Sequence, residues 1–153
     1  MATVSDVLRT KQQEHRGGAA EGDVATIAPD ATVLDAAKAM NHRKIGSLVV
    51  TDDGGRVRGI ITERDILTRV VAAARDPRAT RVSDVMTTPV ITCAPGDPLD
   101  GLKRLIRERR IRHVPVVNGD RLCGMVSLGD LNAAEVESMS QTIVVLEEYI
   151  QRG

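Results

Sequence analysis

The sequence predicts an α/β (α+β) fold made of two copies of one unit, each a small β-sheet with flanking helices, plus a C-terminal helix. Three observations carry this. The chain repeats its own motifs at a near-constant spacing. Each copy alternates strand-like and helix-like apolar patterns in the same order. The tail holds a separate stripe of helical period.

The repeat is legible at four places. Val4-Ser5-Asp6-Val7-Leu8 returns as Val82-Ser83-Asp84-Val85-Met86. Pro29 returns at Pro95, and Ile45 at Ile111. Gly59-Ile60-Ile61-Thr62-Glu63-Arg64-Asp65 returns as Gly124-Met125-Val126-Ser127-Leu128-Gly129-Asp130. The first copy carries about a dozen extra residues, which fall between Arg9 and Asp23.

Each copy opens on a short helix, near Val4–Leu8 and again near Val82–Met86. The polar stretch 9–23, with Lys11-Gln12-Gln13-Glu14-His15-Arg16-Gly17-Gly18, reads as a flexible inserted loop. Short strands follow at Val24–Ile27 and Val90–Cys93. Val33, Ala36, Ala37 and Met40 then have helical spacing, as do Leu99, Leu102, Leu105 and Ile106. A β-hairpin comes next in each copy. Leu48–Val50 turns at Asp52-Asp53-Gly54-Gly55 and returns through Val57 to Ile61. Val114–Val117 turns at Asn118-Gly119-Asp120 and returns through Leu122 to Val126. Asp-Gly and Asn-Gly pairs tolerate the positive φ of tight turns. A second helix closes each copy, over Glu63–Ala74 and from Leu128 onward.

This order sets repeat 1 at 1–74, a linker at 75–81, repeat 2 at 82–135 and a C-terminal helix at 136–153. One copy of about 60 residues buries too little surface to stand alone. Two copies packed sheet to sheet, with pseudo-two-fold symmetry, are expected to share a core. In the tail, Val136, Met139, Ile143, Leu146 and Ile150 follow the 3-4 spacing of a helix seam, which packs on the body or on a partner subunit.

Composition narrows the function. Lys plus Arg equals Asp plus Glu at 21 each, so affinity for phosphate must come from local clustering. Aromatic residues are 1% of the chain, with Tyr149 alone, which argues against a stacking platform for single-stranded nucleic acid. No apolar run approaches the ~20 residues of a membrane span. The N-terminus lacks the basic and apolar regions of a secretion signal, and a cytoplasmic location is expected. Cys93 and Cys123 read as buried strand residues. The three histidines have no metal-ligand spacing, so no metal site is expected. No nucleophile elbow, Walker loop or G-x-G-x-x-G is present, and the chain does not read as an enzyme.

Two features carry candidate chemistry. Thr62-Glu63-Arg64-Asp65 and Ser127-Leu128-Gly129-Asp130 each read as a helix capping box. The same geometry also offers free N–H groups to a phosphate and a carboxylate to ribose hydroxyls. The run Lys103 to His113 holds six Lys/Arg against Glu108. It is a solvated helix face, a phosphate-attracting rim or a nucleic-acid patch.

The duplicated order strand–helix–hairpin–helix, with Gly-x-x-Thr/Ser-x-x-Asp after the last strand, resembles the CBS domain pair (Bateman module). Ile45-Gly46-Ser47-Leu48-Val49-Val50 and Arg112-His113-Val114-Pro115-Val116-Val117 share the resemblance, which covers residues 1–134. The whole chain is most similar to small stand-alone bacterial CBS-pair proteins ending in an extra helix. The resemblance implies a regulatory module that binds AMP, ADP, ATP or NAD(H) in clefts between the repeats and signals to an unknown effector protein; S-adenosylmethionine is a further ligand of some CBS pairs. It implies one cleft built from Val24, Ala25, Ile45, Met125, Ser127 and Asp130, with Arg112 and His113 facing phosphate. It implies another built from Val90, Ile91, Ile111, Ile60, Thr62 and Asp65, with Arg64 serving it. It also implies a homodimer. The rival readings are a ligand-free interaction module and a nucleic-acid binder using the 103–113 rim.

Overall fold

The computed structural model describes residues 2–14 and 24–152. Its elements are α1 (Val4–Glu14), β1 (Thr26–Ile27), α2 (Val33–Arg43), β2 (Ser47–Thr51), β3 (Val57–Thr62) and α3 (Glu63–Ile66). After α3 come a π-helical turn (Leu67–Val71), α4 (Val82–Val85), α5 (Leu99–Arg109), β4 (His113–Asn118), β5 (Arg121–Ser127) and α6 (Leu128–Arg152). In repeat 1, β1 lies parallel to β2 and β2 antiparallel to β3. In repeat 2, β4 and β5 form an antiparallel pair. The hairpins turn on Gly55 and Gly119, both at positive φ, as their sequences predict.

The opening helices are exchanged. Val4 and Val7 of α1 are buried with Leu99, Leu102, Ile106, Val114 and Leu131 of repeat 2. Val82 and Val85 of α4 are buried with Val33, Ala36, Leu48, Ile61 and Val70 of repeat 1. Backbone bonds repeat the symmetry: Val4 and Ser5 donate to Asp97 and Pro95, while Val82 and Ser83 donate to Ala31 and Pro29. The expected single shared core is therefore two clusters, each completed by a helix from the other half. Each buried valine contributes about 1.5–3 kcal/mol, so the exchange ties the halves together.

Three expectations need correction. Residues 9–14 are not loop: α1 runs on through Glu14, because Lys11, Gln12, Gln13 and Glu14 are good helix formers. The rest of that insertion, 15–23, lies outside the described residues. Val90–Cys93 is not a strand, and only Cys93 bridges to Val116. The chain just before it is engaged elsewhere, with Thr87 paired to Ile60, and Pro89 has no N–H to offer a ladder. The helix after β3 ends at Val71, and Ala74 already stands at positive φ.

Candidate functional site

The exchange of α1 and α4 decides what each inter-repeat cleft contains. Gly59 and Gly124, at matching places in the repeats, are where these helices press on the hairpins. A Cβ on Gly124 would lie 2.7 Å from Leu8 Cδ2, and one on Gly59 would lie 2.5 Å from Met86 Sδ. Leu8 and Met86 are themselves repeat-equivalents. Past them the copies diverge.

On the repeat 2 side, α1 continues one more turn and delivers Lys11. Its ammonium donates to Asp130 Oδ2 and to the Met125 carbonyl, both at 2.9 Å. Asp130 also accepts from the Ser127 N–H at 2.8 Å, and Ser127 Oγ accepts from the Asp130 N–H at 3.1 Å. The capping box is thus formed, and its carboxylate carries a further charged partner. Burial alone would raise the Asp130 carboxyl. The Ser127 N–H and the Lys11 ammonium outweigh burial and hold it below the usual carboxylate range.

Beside Lys11 opens a cleft of about 430 Å³ between the repeats. Val24, Ala25 and Ile45 line it from repeat 1, and His113, Met125 and Ser127 from repeat 2, the grouping that the CBS resemblance implies. Asp130 lies one step behind, bordering the adjoining groove between α1 and α6, and Lys11 borders both spaces. Arg112 does not join His113. Successive side chains at a strand start point to opposite faces, and Arg112 lines a groove outside the cleft. His113 is half-buried. Burial lowers its pKa, and the nearby Asp130 carboxylate only partly offsets this.

Sequence reasoning missed Lys11, Arg43 and Cys123, which also line this cleft. The sequence reads Lys11 as part of a loop, yet it follows Leu8 by three residues and so shares its helix face. Cys123 is exposed rather than buried, because it shares with Met125 the face of β5 that borders the open cleft. Cys93 is buried as expected, and its thiol is pushed up to about 12 by desolvation.

The Asp65 side is built differently. After Met86 the chain leaves the helix, and Thr87 pairs with Ile60 through both backbone bonds. Thr87 Oγ1 donates to Asp65 Oδ1 at 3.0 Å, while Thr62 donates to Oδ2 from its N–H at 3.0 Å and its hydroxyl at 3.2 Å. Arg69 sits 3.9 Å from the same carboxylate and donates to the carbonyls of Val85 and Met86. Asp65 is buried and its acceptors are engaged. Ile60 is buried under Thr87, Val90 and Ile91 are half-buried, and Arg64 and Ile111 line the groove that holds Arg112. Of the seven residues grouped for this cleft, Arg64 and Ile111 thus border the groove of Arg112, while Thr62 and Asp65 bond each other.

Comparison with known proteins agrees with this architecture. The model of the CBS domain family matches residues 20–72 and 82–137. The chain is 37% identical over 99% of its length to the mitochondrial CBS domain-containing protein CBSX3 of Arabidopsis thaliana, covering 73% of that protein. It is 32% identical to CBS domain-containing protein YhcV of Bacillus subtilis, over 92% of this chain and 90% of that one. A crystal structure of a CBS-domain protein from Agrobacterium tumefaciens superposes with a TM-score of 0.76 at 36% identity, covering 88% of this chain and 99% of that one. The exchanged helices, the paired capping boxes and these matches place the chain in the CBS-domain family as a tandem pair, the architecture of regulatory and signal-transduction modules.

Proposed function

We propose that the chain is a sensor of adenine nucleotides (AMP, ADP, ATP or NAD) with one working site, the cleft beside Lys11. The observation that carries this is the pairing of a carboxylate and a backbone carbonyl on a single internal ammonium. Asp130 and Met125 O are acceptors suited to ribose hydroxyls and to the exocyclic amine of a base. In the structure Lys11 satisfies both. Val24, Ala25, Ile45 and Met125 supply apolar walls for a flat ring, the mix of apolar wall and few polar anchors typical of ligand sites. Arg43 and Lys11 place positive charge, and His113 a ring N–H donor, where phosphates would emerge. On this reading the Asp65 side is structural, since its carboxylate is engaged by Thr62 and Thr87.

The signal follows from the fold. A ligand that takes Asp130 must displace Lys11, and Lys11 belongs to the helix that completes the repeat 2 core. Ligand binding thereby biases where α1 sits, which is the differential affinity that signalling requires. The receiver is an effector protein in the same compartment, for which we take the cytoplasm. The role is regulatory rather than catalytic. Arabinose 5-phosphate isomerase of Yersinia pestis is 32% identical, but the match covers 38% of that enzyme.

Titration calorimetry of nucleotide-stripped protein with AMP, ATP, NAD and S-adenosylmethionine tests this. One adenosine-dependent site per chain is expected, its affinity weakened at least tenfold by Asp130→Ala and unchanged by Asp65→Ala, whose effect is on stability. No binding of any adenine ligand would refute the sensor. A second reading, an interaction module, is favoured by the exposed apolar stripe of α6. Self-association also fits the hexameric CBS-CP12 protein of cyanobacteria, which is 36% identical with a TM-score of 0.66. We take the occupant of the stripe to be a second copy of this chain.

A further inference from the structure

We propose that the groove between α5 and α6 is a second, separate anion site that takes a compact polyphosphate group. Arg64 at the start of α3, Lys103 and Arg107 on α5, and Arg110 and Arg112 after it line one groove of about 380 Å³. None of these residues borders the inter-repeat cleft. Lys103 lies 4.0 Å from Glu135. Among the described residues, Arg64, Arg107, Arg110 and Arg112 have no carboxylate within 4.0 Å. Four guanidinium groups thus line a concavity whose one lining carboxylate, Glu135, lies against Lys103, in a chain of zero net charge.

The duplication supplies an internal comparison. The equivalent groove of repeat 1, about 460 Å³, has Asn41 where Arg107 stands, and Lys44 where Arg110 stands. It holds Lys44 with Glu63, and its rim is the apolar Leu67 and Val71. Lys44 and Arg110 both end their helices in the left-handed conformation. One cation at that place is therefore enough to serve a helix C-terminus, and the fold does not require the other three. A guanidinium binds phosphate oxygens in bidentate fashion, and a multiply charged ligand relieves the repulsion among the arginines. The groove volume lies in the small-ligand range of about 300–1,000 Å³. No aromatic side chain lines it, so it offers a strand of bases no stacking platform.

Calorimetry at low salt with tripolyphosphate, ATP and adenosine tests the site. Tripolyphosphate is expected to bind once per chain, and to weaken at least tenfold in Arg107→Asn/Arg112→Gln. The charge-matched control Lys38→Gln/Arg121→Gln should bind as the parent does. Arg110→Gly removes a cation at a positive-φ position where glycine is at ease, so it stays folded and should also weaken binding. If the natural ligand is a nucleotide tail, ATP competes with tripolyphosphate and adenosine does not. If it is a free polyphosphate, neither competes. Equal binding by the arginine variants and the control overturns the proposal, as does displacement by adenosine. Tighter binding of a single-stranded RNA, with a steep salt dependence, also overturns it by making the face a nucleic-acid surface.

Discussion

At the residue scale, Lys11 and His113 have opposite consequences for a bound ligand. Lys11 holds the acceptors that the nucleoside part of a ligand would need, so it is an internal competitor. Lys11→Met is expected to tighten adenosine binding several-fold. ATP should gain less, because the lost ammonium is also lost to its phosphates. Equal gains for both would show that Lys11 never faces the phosphates, and no gain for adenosine would remove the competitor role. His113 is held neutral by burial. A histidine whose folded pKa lies below its unfolded value lets the unfolded chain bind more protons, so stability rises with pH. The stability it contributes is present above the ordinary value of 6.5 and is lost as pH falls through and below it. Urea midpoints should drop between pH 7 and 5.5, and His113→Gln should flatten that slope. An anionic ligand beside His113 reverses the preference. Binding of ATP should then take up protons, read as a dependence of calorimetric heat on buffer ionisation.

At the scale of elements, the informative comparison is between the two helix ends at Lys44 and Arg110. Both take φ near +50°, at 54° and 52°. An L-residue there costs roughly 1–2 kcal/mol that glycine avoids. Lys44 is exposed, so Lys44→Gly should raise unfolding stability by about 1 kcal/mol with the helix otherwise unchanged. Denaturant titration decides it, and a loss of stability would mean that the lysine side chain itself holds the cap. The same elements show what the sequence could disclose. The helices, hairpins and capping boxes follow from period, turn residues and spacing, which are local. The match of Val24, Ala25 and Ile45 to Met125 and His113 came from the repeat and the family resemblance. The course of the chain after Leu8 and after Met86 was not legible. There the two copies share a sequence up to one point and then part. One continues as helix to place Lys11, and the other turns out to pair Thr87 with Ile60. That choice depends on contacts with the opposite repeat, which no local pattern contains.

For the molecule as a whole, α6 is the outlying part. It has 25 residues, about 37 Å at 1.5 Å per residue. Its first turns pack on α5 and β5, with Leu131 buried and Ala134 against the repeat 2 core. Beyond them, Val136, Met139, Ile143, Leu146 and Ile150 are each more than half exposed. The sequence placed this seam on the body or on a partner, and within one chain the body does not cover it. A contiguous apolar stripe of this length is more than a monomer ordinarily shows to water. Charge favours an antiparallel second copy as its cover. Glu135 and Glu137 lie near the base of the helix and Arg152 at its tip. Antiparallel pairing brings each Arg152 to the partner's base, whereas parallel pairing sets Glu147 and Glu148 beside their own copies. Ile143→Asp is therefore expected to convert an associated species to a monomer in sedimentation velocity. Its thermal midpoint, measured at a concentration where the parent is also monomeric, should barely change, since Ile143 is 55% exposed in the single chain. An unchanged mass would assign the stripe to a different protein. Within one chain α1 and α6 meet at the groove beside Asp130, so displacement of Lys11 by a ligand would bear on the same helix that is expected to join the copies. The association constant should then shift with nucleotide in the parent and lose that shift in Asp130→Ala.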